Sequence, residues 1–69
     1  MNRQRLALTA RIITDPAILA GKPILAGTRI AVETVLEYLE DTPSLEEFFI
    51  DYPDLKLADV QACFGYAKK

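Results

Sequence analysis

A mainly α fold, in which a small N-terminal β ribbon precedes three short helices, is predicted by three features of the sequence. Apolar residues alternate from Leu6 to Ile12, the period of a strand with one face covered. After Ile30 the period becomes helical. Two further helix-length segments follow, separated by the breaks Thr42-Pro43 and Tyr52-Pro53.

In the first segment Leu6, Leu8, Ala10 and Ile12 share one side of a strand. Thr14-Asp15-Pro16 ends it, because proline has no amide donor and biases the preceding residue away from helical angles. Ala17 to Ala20 can form a single helical turn. Pro23 to Leu25 is a second extended piece, since Pro23 pushes Lys22 out of the helical region and Gly27 supplies the positive φ of a turn. Val32, Val35, Leu36 and Leu39 then recur at i, i+3, i+4 and i+7, with Glu33, Glu37 and Glu40 on the other side: an amphipathic helix. Ser44 caps the second helix in a capping box with Glu47, or Thr42 caps it with Pro43 at the first helical position. Its Leu45, Phe48 and Phe49 are expected inward. The third helix runs from about Leu57 to Lys68. Leu57, Val60, Phe64 and Ala67 are expected on its inner side with Cys63 at their edge, and Asp59, Ala62, Tyr66 and Lys69 on its outer side.

A chain of 69 residues is one small domain, near the size at which a single core supplies only about 3–5 kcal/mol. A second copy would stabilise it, so a homodimer is expected. One cysteine and no histidine exclude an internal disulfide, a cysteine metal cluster and a histidine-assisted nucleophile. Cys63 is expected to be a small buried hydrophobe. Adjacent acids such as Glu46 and Glu47 point to different sides of a helix and do not converge on a substrate. No enzyme activity, catalytic residue, metal, cofactor or small-molecule substrate is therefore expected. With no apolar run near 18 residues and no leader-like N-terminus, the expected location is the cytoplasm, away from membranes.

Charge is distributed unevenly. Residues 1–30 carry +4, residues 31–67 carry −8, and Lys68 and Lys69 return two positive charges to a net of −2. The N-terminal arm, residues 1–12, is basic through Arg3, Arg5 and Arg11, and the body is acidic. DNA affinity comes largely from neutralised phosphates, so solitary DNA binding is expected to be weak. The acidic stripe Glu33, Glu37 and Glu40 is first a solvated face. Its sharper reading is a surface for a basic protein partner.

The stretch "AGKPILAGTRI" poses a choice between a phosphate loop and a tight turn. A phosphate loop needs G-x-x-x-x-G-K-[ST]. Here Pro23 follows Lys22, removing a donor where one is wanted, and no glycine lies five residues before Gly21. The turn is the better reading. Arg29 is read first as the partner of Asp15, locking the loop through a bidentate pair, and second as a phosphate or partner contact.

"ITDPAILAGKPILAGTRIAVETVLEYLED" followed by "SLEEFFIDYPDLKLADVQACFGYA" resembles the bacterial and archaeal family labelled domain of unknown function four-three-three. The residues that carry the resemblance include Asp15, Pro16, Gly21, Pro23, Gly27, Thr28 and Arg29. It implies a three-helix, homeodomain-like or winged-helix-like helix-turn-helix bundle over residues 13–69, and an antitoxin of a prokaryotic toxin–antitoxin system, with PIN-like ribonuclease toxins as partners. Operator DNA would be bound, if at all, by a dimer or complex. If the third helix is a groove reader, Gln61, Lys68 and Lys69 are its candidate DNA contacts, joined by Lys22 and the arm residues Arg3, Arg5 and Arg11. Glu33, Glu37, Glu40 and Tyr66 are the candidate partner interface. The chain departs from the family pattern at Asp41-Thr42-Pro43 where a glycine is usual, at Lys56 where a threonine caps the third helix, and at Gly65 within that helix.

Overall fold

A computed structural model describes residues 6–68. Arg3, Arg5 and Lys69 lie outside the described residues. The element order is β1 (Leu6–Ala7), β2 (Ile12–Thr14), β3 (Ile24–Leu25), α1 (Val32–Asp41), α2 (Leu45–Asp51) and α3 (Leu57–Ala67). The strands form one antiparallel sheet in the order β1-β2-β3. Leu6 faces Thr14 and Ala7 faces Ile13, while Ile12 faces Leu25 and Ile13 faces Ile24. Three helices after a small β element match the predicted class.

The continuous strand expected from Leu6 to Ile12 is instead a hairpin. Thr9 explains the break: its hydroxyl accepts from the amides of Arg11 and Ile12, both at 3.1 Å, offering the backbone a local alternative to the sheet ladder. Of the four alternating apolar residues only Ile12 is buried.

Two turns shape the connection from β2 to α1. Leu19, Ala20 and Gly21 all have positive φ, at 50°, 57° and 85°, so the expected helical turn is left-handed. Its bonds run from the Gly21 amide to the Ile18 carbonyl at 3.0 Å and from the Lys22 amide to the Leu19 carbonyl at 3.2 Å. Non-glycine residues rarely adopt this region. In the second turn the Thr28 amide donates to the Leu25 carbonyl at 3.0 Å with Gly27 at φ 81°, the backbone that a type II turn demands at its third position. The Thr28 hydroxyl donates to the same carbonyl at 2.8 Å and accepts from the Ile30 amide at 2.9 Å. The glycine pair thus does serve turns.

α1 buries Val32 and Val35 as its period requires. At the start of α2 the Ser44 hydroxyl accepts from the Glu47 amide at 3.2 Å. Ser44, not Thr42, is the cap. The Ser44 amide donates to the Thr42 carbonyl at 2.7 Å rather than to Glu47, so only half of the capping box forms. Phe48 is fully buried, Phe49 half-buried, and Leu45, at the first turn, exposed. The core joins Ile12, Leu25, Val35, Phe48, Val60 and Cys63, with no buried polar side chain among the described residues.

α3 is rotated from expectation by about a quarter turn. Val60 and Cys63 are buried, Tyr66 and Ala62 pack partly against the core, and Leu57 and Phe64 face solvent. Two contacts of Asp59 and one groove accompany this rotation. The Asp59 carboxylate accepts from the Lys56 amide at 2.9 Å, capping the helix where the expected threonine is missing. It also pairs with Arg11 at 3.1 Å, tying the β1–β2 bend to α3. The small residues Ala58, Ala62 and Gly65 turn toward that bend across a groove of about 420 Å³.

Burial, reinforced by the nearby Asp59 charge, pushes the Cys63 thiol from 9.0 up to about 11. The hydrogen bond from its hydroxyl to Asp51, at 2.7 Å, is the main cause that moves Tyr38 from 10.0 to about 12, with burial and the Asp51 charge adding to it. Both pKa values are raised in the folded state. Their stabilisation is complete below the unfolded values and is lost as pH rises through the folded ones. The melting temperature is therefore expected to fall between pH 9 and 11, and Cys63→Ala should flatten that part of the profile. In the native chain at pH 8, a thiol reagent should label Cys63 only at the rate of unfolding.

Candidate functional site

Sequence-distant residues meet in a cleft of about 210 Å³ between α1, α3 and the segment before β3. Pro23, Val32, Leu36, Tyr66 and Ala67 make its apolar walls, and Lys22 and Glu33 close its rim. The left-handed turn delivers Lys22 to this rim. Next to it, the Pro23 carbonyl accepts from the Val32 amide at 3.0 Å, fixing that wall to the start of α1. Lys22 Nζ lies 2.7 Å from Glu33 Oε2, with both side chains more than half exposed. The hydrogen bond to Glu33 and its charge, with a smaller contribution from Glu37, raise the Lys22 pKa. Glu37 and Glu40 are exposed further along α1. Two of the predicted partner residues, Glu33 and Tyr66, thus share one cleft, although Tyr66 is half-buried rather than outward.

The outer face of α3 presents Leu57, Gln61, Phe64 and Lys68, spaced at i, i+4, i+7 and i+11. Leu57 is 49% and Phe64 46% exposed. Gln61, expected at the flank of the outer stripe, and Lys68 are both exposed on this face. Asp59, expected on this face, is instead turned toward Arg11. Of the predicted basic contacts within the described residues, Arg11 is engaged by Asp59 and Lys22 by Glu33. Sequence reasoning missed Leu57 and Phe64 as surface residues, because apolar residues occur all round α3 and no local pattern selects its inward face.

Four of the signature residues, Asp15, Gly27, Thr28 and Arg29, line a further depression of about 230 Å³ together with Ile13, Ile18 and Ile24. Asp15 Oδ1 accepts from the Ala17 amide at 2.9 Å and the Asp15 carbonyl from the Ile18 amide at 2.8 Å, a turn with Pro16 at its favoured second position. Asp15 and Arg29, expected as a pair, both line this depression. The Thr28 hydroxyl and the backbone bonds of the two turns hold this loop. Arg29 is exposed at its rim.

No group of three or more His, Cys, Asp or Glu side chains able to hold a metal occurs among the described residues. No helix among them is long and apolar enough to cross a membrane. The family model described as Protein of unknown function (DUF433) matches residues 12–67, more than half of the chain. No curated protein and no solved structure matches it.

Proposed function

The chain belongs to the family of proteins of unknown function (DUF433), and from that premise we propose that it is a non-enzymatic, cytoplasmic, antitoxin-like protein that works by binding a toxin. The observation that carries this reading is the outer face of α3. A groove-reading helix presents arginine, lysine, asparagine or glutamine to base edges. This one presents two large apolar side chains beside Gln61 and Lys68. Large exposed apolar residues at helical spacing suit a protein partner. The −8 charge of residues 31–67 repels phosphate, and DNA is engaged, if at all, by a dimer or by the complex. The non-enzymatic reading is supported by the absence of histidine, by the buried, protonated Cys63 thiol and by the separate exposure of Glu46 and Glu47.

Co-expression with the product of the adjacent reading frame tests this. The two proteins are expected to co-purify, and Leu57→Glu combined with Phe64→Glu should abolish the complex while the chain keeps a cooperative melt, because both sites are about half exposed and lie outside the buried core. Binding of the lone chain to its upstream duplex should be weak at physiological salt. Tight, steeply salt-dependent duplex binding by the lone chain, or a complex indifferent to both glutamates, would overturn the reading. A second reading, a homo-oligomeric interaction module that does not touch DNA, is favoured by the exposed Leu6 in the outer strand and Leu8 in the bend after it. Sedimentation of the isolated chain, with Leu6→Lys as the control, separates the two.

A further inference from the structure

We infer that the cleft between α1 and α3 receives a basic amphipathic segment of a protein partner, and that Lys22 occupies the place at Glu33 that a cation of that partner takes. This rests on the reading that the chain acts by binding protein, but it concerns a different surface from the outer face of α3. Shape and charge carry it together.

The walls are apolar and contributed by rigid parts: Val32 and Leu36 from α1, Tyr66 and Ala67 from α3, and Pro23, whose φ is fixed by its ring. A cavity of about 150 Å³ already admits a benzene ring. At about 210 Å³ this cleft has room for one large apolar side chain. A helix laid in a groove supplies such an anchor once per turn or two.

The rim decides the charge of the occupant. Glu33 stands at the mouth, and Glu37 and Glu40 continue the line one and two turns along α1, all three exposed. Lys22 is the cation at this rim, and it is bound to Glu33. An exposed pair of this kind holds little net energy, since solvent and salt screen it and two long side chains lose freedom. A partner arginine can therefore replace Lys22 at small cost, with a bidentate geometry that lysine does not have. The row of acids also steers a basic segment toward the mouth before contact. An acidic segment would meet three carboxylates and gain only Lys22.

The strained turn at Leu19–Gly21 fits this arrangement. It places Lys22 over Glu33, so the free protein covers its own recognition charge.

Fluorescence anisotropy with labelled synthetic peptides tests the assignment. The probe is a helical peptide of about 18 residues, long enough to hold a helix, with leucine and phenylalanine on one stripe and arginine on its flanks. One control replaces each arginine by glutamate, and another replaces the apolar stripe by alanine. The probe is expected to bind the full chain at least about tenfold tighter than either control, with a gap that narrows at high salt. Glu33→Gln combined with Glu37→Gln should weaken binding about tenfold. Lys22→Gln should strengthen it about threefold, the result a merely structural ion pair does not produce. Ala67→Trp, at an exposed site in the cleft, should block binding while the melting curve stays unchanged. Equal binding of acidic and basic peptides, binding of none, or weaker binding by Lys22→Gln would overturn the inference. If those results come with a toxin complex that still depends on Leu57 and Phe64, the cleft assignment falls and the protein-binding reading stands. Loss of both removes the reading as well.

Discussion

Phe48→Ala is expected to leave most of the chain unfolded at room temperature. Phe48 has no exposed surface and lies at the junction of α1, α2 and the turn to α3. Its ring meets Tyr38 at 5.3 Å edge-on, Phe49 at 5.3 Å edge-on and Tyr52 at 5.0 Å in a tilted contact. Truncating a buried phenylalanine to alanine costs about 3–5 kcal/mol through lost transfer energy and the cavity left behind. A 69-residue core supplies about the same amount in total. The margin therefore vanishes. The Tyr38 hydroxyl would still bond Asp51, but that exposed contact cannot replace a core aromatic. Phe48→Leu, which leaves a smaller void, should cost roughly half as much and keep a cooperative melt. Circular dichroism with urea unfolding reads both variants. A melting temperature within a few degrees of the parent for Phe48→Ala would show that the aromatic cluster is not what joins α1 to α2.

The helices differ in how much of their placement is legible from sequence, and the reason is physical. α1 carries apolar residues on one side and glutamates on the other, so burial permits a single orientation. In α3 apolar residues occur all round: Leu57, Val60, Cys63, Phe64 and Tyr66 admit several inward faces. In the rotation adopted, Asp59 caps the helix and reaches Arg11, a residue 48 positions away. Pairings over such separations leave no local pattern. The hairpin bend was hidden for the opposite reason. Alternation from Leu6 to Ile12 imitates a strand, while one threonine hydroxyl decides the chain reversal. The turn chemistry of Gly21, Pro23 and Gly27 was legible because glycine and proline restrict or release φ without help from tertiary contacts. The candidate cleft was legible only in its parts. Glu33 and Tyr66 could be named from charge and position, but nothing local says that Leu36 and Ala67 share a wall with them.

Gly27→Val is the substitution that isolates the backbone, and it is expected to lower the melting temperature by roughly 8–15 °C. A Cβ added at Gly27 meets nothing within 4 Å, so steric crowding by neighbours is not the cause. The cause is φ at 81°. A non-glycine residue held there costs about 1–3 kcal/mol, with β-branched side chains at the upper end. The turn cannot relax cheaply, because Thr28 is tied to Leu25 and Ile30, and Leu25 is paired with β2 in the core. Gly65→Ala is the matched control. Its Cβ also meets nothing within 4 Å, yet its backbone is helical, and alanine is favoured over glycine there by about 1 kcal/mol. Replacing either glycine lowers the entropy of the unfolded chain, which favours folding in both cases. The two variants should therefore shift the melt in opposite directions, and only the native φ accounts for the difference. Gly27→Val melting at or above the parent would mean that the Leu25–Thr28 turn does not hold its positive φ, and with it the support for the loop that carries Thr28 and Arg29 would go.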